Sequence, residues 1–295
     1  MQPTISGIEK PMTLTQALMT TLKDETYIQK GDLPLLMEHA RKNKVLLQFL
    51  RNSRIEGTIR QEQEEALSEV YLALVEVAYK IQNLDYAVIK FFKPMAYLPS
   101  DIDLLLKKEQ ISILSRILQK LGYNLILIEP NCLTFKGKVV IDVYINPDVL
   151  NIPYMTGEEL LQFTTIVEVD GVKIKKLTDE AEVVLVLSHA VYKEQIITLN
   201  DYYAAKLYLN SECVKIAAKF KVSSALEYVI NAFHDIEMGR ADMPLKIPFK
   251  HTVKLFLNKI ITDKLTRNSL PQVCLKLFDQ RAPMLIKSRL LRQTY

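Results

Sequence analysis

Residues 86–106, which read YAVIKFFKPMAYLPSDIDLLL, decide the fold of the chain around them. The pattern predicts a strand, a short irregular connection and a second strand, with Asp101 and Asp103 at the start of the second strand. Because side chains two positions apart leave the same face of an extended segment, both carboxylates point the same way. A carboxylate pair in so apolar a strand is costly unless a cation compensates it. Mg²⁺ binds through one or two carboxylates plus substrate phosphates, so we expect a divalent metal here.

A third aspartate lies in a later apolar segment, 139–145, with the sequence VVIDVYI. Alternation puts Val140, Asp142 and Tyr144 on one face of this strand. If the strand neighbours the one that holds Asp103, three carboxylates converge. Nucleotidyl transfer uses that geometry, because metal ions held between carboxylates neutralise phosphates and activate the attacking hydroxyl. Taken singly, Asp142 could equally pair with a buried lysine and the other two could be loop-end acids; together, the three favour a metal site.

The segments around these strands are predicted from hydrophobic period and capping patterns. A capping box at Thr13 and Gln16 opens a first helix. Before residue 84 the pattern is helical, and after it a helix and further strands follow, including a hairpin that turns at Asp170-Gly171. From residue 178 onward the pattern is helical throughout. The sequence therefore predicts an α+β protein whose parts are an N-terminal helical arm (1–83), a small α/β core (84–177) and a C-terminal helical domain with a basic tail (178–295).

Composition bounds the compartment and the partners. The chain has 295 residues, of which 49% are hydrophobic and 24% charged, as in ordinary globular proteins. No apolar run reaches the roughly 18 residues needed to span a bilayer, and the start does not resemble a signal peptide. The three cysteines, Cys132, Cys213 and Cys274, are far apart and form no metal or disulfide pattern. We therefore expect a cytoplasmic protein with reduced thiols and no membrane partner.

Positive charge is concentrated near the C-terminus. The net charge is +4, yet the segment from Lys246 onward contains eleven basic residues and only two acidic ones. Such asymmetry marks a polyanion-binding face in some proteins and a solvated helical surface in others. Both interpretations stay open, and the first favours RNA as a partner.

The order Ser100-Asp101-Ile102-Asp103, then a helix ending in Leu-Gly-Tyr, then Asp142 on a later strand, resembles the nucleotidyltransferase superfamily with the DNA polymerase beta-like fold. More narrowly, the long helix before the core and the segment LSHAVYKEQIITLNDYYAAKLYL resemble an uncharacterised branch near minimal nucleotidyltransferases and abortive-infection toxins. The resemblance covers residues 60–209. It implies a mixed sheet, Asp101 and Asp103 as metal ligands, and Asp142 as ligand or general base. It also implies an NTP, ATP among them, as bound substrate, with Mg²⁺ or Mn²⁺ as cofactor and Ser100 in the substrate site.

One connection departs from that superfamily, whose members place a glycine-containing turn after the first strand to open a helix that cradles the triphosphate. Here residues 92–99 contain two prolines and no glycine. Proline cannot donate an amide, and the connection is too short for much of a helix. Either Lys90 and Lys93 supply point charges instead, or triphosphate is not bound in the usual way.

Three further residues are candidates for the substrate site. In the resembled branch, residues placed like His189, Lys193 and Asp201 border the nucleotide cleft. A histidine could donate to a phosphate and a lysine could offset transition-state charge. A satisfied structural histidine and a helix-turn aspartate are the alternatives.

The function predicted from the sequence is metal-dependent transfer of an NMP from an NTP to a hydroxyl of an RNA end, a protein or a small molecule. The alternative is a degenerate module of the same fold that binds nucleotide, RNA or a partner protein without turnover. A component of a toxin-antitoxin pair is a third interpretation. Acceptor, base preference and oligomeric state stay open.

Overall fold

The computed structural model describes residues 12–23 and 32–271. Within those residues the chain is an α+β protein with a seven-stranded mixed sheet and helices before and after it. The predicted fold class is thereby confirmed. Cys274 and five of the C-terminal basic residues lie outside the described residues, namely Lys276, Arg281, Lys287, Arg289 and Arg292.

Four helices precede the sheet: α1 (Leu14–Lys23), α2 (Leu33–Lys42), α3 (Leu46–Asn52) and α4 (Thr58–Lys80). The predicted capping box begins α1, since the Thr13 amide donates to Gln16 Oε1 at 3.0 Å and the Gln16 amide donates to Thr13 Oγ1 at 3.2 Å. The helical pattern that ends near residue 50 corresponds to two helices, α2 and α3, with a break between them. Lys44 lies at that break with a φ of 56°, in the left-handed region that ends a helix.

Nine strands follow in chain order: β1 (Tyr86–Ile89), β2 (Ile102–Leu106), β3 (Asn124–Ile128), β4 (Cys132–Lys136), β5 (Val140–Tyr144), β6 (Asp148–Val149), β7 (Ile152–Pro153), β8 (Thr164–Val169) and β9 (Val172–Leu177). The sheet has the order β3-β4-β5-β2-β1-β9-β8, and β6 pairs with β7 separately. β2 runs antiparallel to β1 and parallel to β5. That register sets Asp103 directly beside Asp142.

The remaining helices are α5 (Ile111–Lys120), α6 (Gly157–Leu160), α7 (Asp179–His189), α8 (Leu199–Tyr208), α9 (Ser211–Lys219), α10 (Ser223–Glu237), α11 (Phe249–Thr262) and α12 (Lys264–Asn268). A π-helical turn, Ala190–Glu194, extends α7. The prediction that everything after residue 178 is helical is wrong in one respect, because β10 (Ile196–Ile197) pairs antiparallel with β11 (Leu245–Lys246). Two-residue strands carry too little periodicity to be seen in a sequence.

The sheet separates two hydrophobic clusters, and alternation along each strand sorts its side chains between them. In β2, Leu105 belongs to the cluster that also contains residues of α7 and α8. Its neighbours Leu104 and Leu106 belong to the other cluster, with residues of α4 and α5. Asp103 has the same parity as Leu105, so its carboxylate faces the C-terminal helices.

Among the described residues, no helix combines the length and the apolar character that crossing a lipid bilayer requires. Cys132 and Cys213 are buried free thiols, as expected for cysteines without a partner pattern.

Candidate functional site

The three aspartates meet at the ends of β2 and β5. One carboxylate oxygen from each of Asp101, Asp103 and Asp142 lies within 4.8 Å of those of the other two. Ser100 Oγ donates to Asp101 Oδ1 at 3.0 Å, and Thr134 Oγ1, from the neighbouring strand β4, donates to Asp142 Oδ1 at 2.6 Å. The parallel pairing of β2 with β5 is what produces this convergence.

Asp103 is the buried member of the cluster. Its Oδ2 forms an ion pair with Lys90 Nζ at 2.8 Å. Its Oδ1 is buried and has no hydrogen-bond partner. Burial raises the pKa of Asp103 to about 6, against the opposing attraction of Lys90, and the nearby charge of Asp101 adds to the rise. A buried carboxylate oxygen without a donor is costly, and a bound cation could satisfy this atom.

Lys90 reaches the cluster from an unusual backbone position. It follows β1 directly and has a φ of 60°, which costs a residue with a side chain roughly 1–2 kcal/mol. Tyr97 holds this backbone, because its hydroxyl donates to the Lys90 carbonyl at 2.5 Å. Burial lowers the pKa of Lys90, but the attraction of Asp103, together with that of Asp101 and Asp142, outweighs it and raises the pKa. The ammonium therefore stays charged inside the site.

A cavity of about 220 Å³ opens beside the cluster. Lysine side chains on its wall come from three separate parts of the chain, so the wall carries positive charge as well as the three carboxylates. The predicted site residues that line it are Lys90, Lys93, Ser100, Asp101, Asp103, Asp142, His189 and Lys193. Asp201 is the one predicted site residue that is not among its lining residues.

Asp201 lies below the wall of the cavity. Its Oδ1 accepts from Lys93 Nζ at 3.2 Å, and its Oδ2 accepts from the backbone and the hydroxyl of Thr198 at 3.0 and 2.8 Å. The side chain is fully buried and that of Lys93 is 6% exposed. Asp201 therefore anchors the start of α8 to the connection after β1.

His189 is buried with both ring nitrogens engaged. Nε2 lies 3.2 Å from Glu194 Oε1 and Nδ1 lies 3.0 Å from the Tyr154 hydroxyl. Burial, reinforced by the positive charge of Lys90, lowers the pKa of His189 to about 3. Since a carboxylate only accepts, the neutral ring carries its proton on Nε2 and accepts from Tyr154 at Nδ1.

The connection between β1 and β2 is irregular throughout 92–99, and no helix follows β1. Gln48, on α3, fixes this connection: its side-chain Oε1 accepts from the Ala96 backbone N–H at 2.9 Å, and its backbone N–H donates to the Ala96 carbonyl at 3.1 Å. The glycine-free sequence predicted this absence. No helix N-terminus is therefore available at this place to receive phosphate.

Comparison with known proteins gives little beyond this geometry. No protein-family model and no curated protein match the sequence. Two solved structures of ANT(2'')-Ia are similar to part of the chain. The crystal structure with adenylyl-2''-tobramycin has a TM-score of 0.38 and 16% identity, over 52% of this chain and 97% of that one. The solution structure of this antibiotic-resistance factor has a TM-score of 0.36 and 15% sequence identity, over 58% of this chain and 97% of that one. Values this low assign neither a family nor an activity to the chain.

Two titratable residues of this region escaped the sequence analysis. Lys44 lines the cavity from the break between α2 and α3, and burial together with the charge of Lys93 lowers its pKa to about 8. Glu182, on α7, is buried, and burial raises its pKa to about 7, against the attraction of Lys93. In the sequence, Lys44 follows Lys42 and Asn43 as an ordinary helix-end lysine would. The only indication of Glu182 in the sequence is that it is an acidic residue at the start of an otherwise apolar segment, EVVLVL.

The low pKa of His189 predicts a specific pH dependence of stability. Its folded pKa, about 3, lies below the ordinary value of about 6.5, so the unfolded chain takes up the proton first as the pH falls. Wild type therefore loses about 2 kcal/mol of stability through this group between pH 7 and pH 5. We expect His189→Gln to cost about 2 kcal/mol less at pH 5 than at pH 7 in urea unfolding. An equal cost at both values would mean that His189 titrates normally.

Proposed function

We propose that this chain is a metal-dependent nucleotidyltransferase that moves an NMP from an NTP to an acceptor hydroxyl. The observation that carries the proposal is the buried, unpartnered Oδ1 of Asp103, set among three convergent carboxylates beside a lysine-lined cavity. Carboxylate oxygens suit Mg²⁺ and Mn²⁺, and lysines suit a polyphosphate. The metal ion would meet the negative charge of the carboxylates, and the polyphosphate would meet the positive charge of the lysines.

The donor set fits a hard divalent cation. Asp101, Asp103 and Asp142 supply oxygen ligands only, and the Oδ1 of Asp103 has no protein donor to satisfy it. These three residues would hold the ion, which when bound polarises phosphate oxygens and offsets their charge.

The chain's own residues have distinct tasks in the proposed reaction. The acceptor oxygen forms a bond to the α-phosphorus, the bond to pyrophosphate breaks, and the hydroxyl proton goes to Asp142. Thr134 orients that carboxylate by donating to its Oδ1 at 2.6 Å. Lys193 and Lys44 bring positive charge to the cavity wall, where the triphosphate would lie. Lys90 offsets the charge of the carboxylates themselves.

The acceptor in this proposal is a hydroxyl of RNA, a protein or a small molecule. The basic C-terminal segment supports RNA in part. Lys250 and Lys254 on α11 are exposed, whereas Lys259 is 1% exposed, donates to the Phe220 carbonyl and pairs with Asp263. Lys259 therefore belongs to the packing of α11 and not to a phosphate-binding face. In contrast, the exposed lysines are free to meet a polyanion.

A catalytically inactive nucleotide-binding module is the second candidate. The irregular connection 92–99 favours it, because no helix amides are offered to the triphosphate after β1. In that case the cavity would bind NTP with its cation and release no pyrophosphate.

Label transfer from each α-³²P NTP separates the two candidates. With Mg²⁺ or Mn²⁺ present, we expect the protein to label either the RNA or the protein fraction of the source cells, or a small-molecule fraction. A doubly substituted Asp101→Ala/Asp103→Ala control should label none. Tight NTP binding without any label in all fractions, from folded protein, would reject the transferase and support the module.

A further inference from the structure

We propose that Lys90 is a built-in cation of the carboxylate cluster, and that the cluster therefore binds one divalent ion per chain instead of two. The proposal rests on the metal site proposed above and deepens it. In this scheme the ammonium group takes the place that a second ion would occupy between the carboxylates.

The first argument is a count of carboxylate oxygens. Asp101, Asp103 and Asp142 each have one oxygen engaged by a protein side chain, from Ser100, Lys90 and Thr134 respectively. Each has one further oxygen that accepts no hydrogen bond from any described residue. The cluster therefore offers one oxygen from each of three residues. These three oxygens, completed by water, suit a single hard ion.

The second argument is that Lys90 is fixed in this position. Its side chain is 15% exposed, and its Nζ lies 2.8 Å from Asp103 Oδ2 and 4.7 Å from the ring centre of Tyr144. Ammonium groups are attracted to aromatic faces, so Tyr144 adds to the hold of the carboxylate. The backbone of Lys90 is in the left-handed conformation, and the Tyr97 hydroxyl donates a hydrogen bond to its carbonyl. This backbone conformation directs the Lys90 side chain to the cluster. A lysine meant to swing out to substrate would not need these constraints.

The third argument is charge. Three carboxylates and Lys90 together leave two negative charges, which one divalent ion balances. The neighbouring lysines do not take the same place, because Lys93 pairs with Asp201 and Lys193 donates to the Tyr144 hydroxyl at 3.0 Å. Lys90 forms its ion pair directly with a carboxylate of the cluster.

Mn²⁺ titration followed by electron paramagnetic resonance, without nucleotide, tests the proposal independently of turnover. We expect one Mn²⁺ per chain in the wild type and in Lys193→Met, a matched loss of a lysine from the same cavity. Lys90→Met should bind two, and Lys90→Arg, which keeps the charge, should bind one. Ions that are lost in Asp103→Asn are the ones that the carboxylate cluster binds. If Lys90→Met does not fold, Lys90→Gln replaces it with the same expected count of two.

Two results would overturn the proposal while the proposed function stands: two wild-type ions that are both lost in Asp103→Asn, or an unchanged single ion in folded Lys90→Met. In either case label transfer would continue in the wild type. Absence of bound Mn²⁺ in both the wild type and Lys90→Met would instead overturn the metal site and, with it, the proposed function.

Discussion

Replacing Asp103 by asparagine is expected to abolish label transfer, with a rate lower by about 10³-fold or more. Asparagine keeps the shape of the side chain but removes the charge from a carboxylate whose buried Oδ1 has no hydrogen-bond partner. Several kcal/mol of charge stabilisation then disappear from the site. The fold should survive, because Lys90 keeps Asp101 and Asp142 as nearby counter-charges.

Asp148→Asn is the matched control for this substitution. Asp148 is also buried, and burial raises its pKa to about 6 as well, yet it lies outside the carboxylate cluster and does not line the cavity. Loss of a buried aspartate charge is thus common to both variants, and only Asp103→Asn changes a carboxylate of the cluster. Transfer rates should be compared at equal folded fraction, measured by urea unfolding. Equal activity in the two variants would exclude Asp103 from the chemistry.

The convergence of the three aspartates was accessible from sequence because strand alternation is local. An apolar five-residue strand with one aspartate fixes the face of that aspartate, whichever strand lies beside it. The remaining step, that β5 neighbours β2, depended on the helix and hairpin between them having a suitable length. The structure supplies the register that sets Asp103 beside Asp142.

The electrostatic partners of the site could not be predicted, because they come from distant parts of the chain. Lys44 enters from the N-terminal helices and Glu182 from α7, and nothing in their local sequence encodes that meeting. The pairing of Lys93 with Asp201 likewise spans 108 positions. Sequence patterns give the face of an element, whereas such contacts depend on how whole elements pack.

Asp201→Ala is expected to destabilise the protein by about 4 kcal/mol, because it breaks a buried ion pair and leaves Lys93 charged without its partner. The substitution also removes the acceptor for Thr198 at the start of α8, where the side chain and the backbone amide both donate to Asp201. Urea unfolding at pH 7 measures the loss. Asp179→Ala is the matched control, since Asp179 is also a first-turn helix acid paired with a lysine, but its side chain is 40% exposed.

That control should cost less than about 1 kcal/mol, as half-exposed pairs do. The comparison also decides what Asp201 is for. If its role is to anchor α8, the Asp201→Ala protein that remains folded should bind NTP as the wild type does, since Asp201 does not line the cavity. Wild-type stability combined with lost NTP binding would instead restore Asp201 as a substrate-binding residue, the role that the sequence resemblance implies.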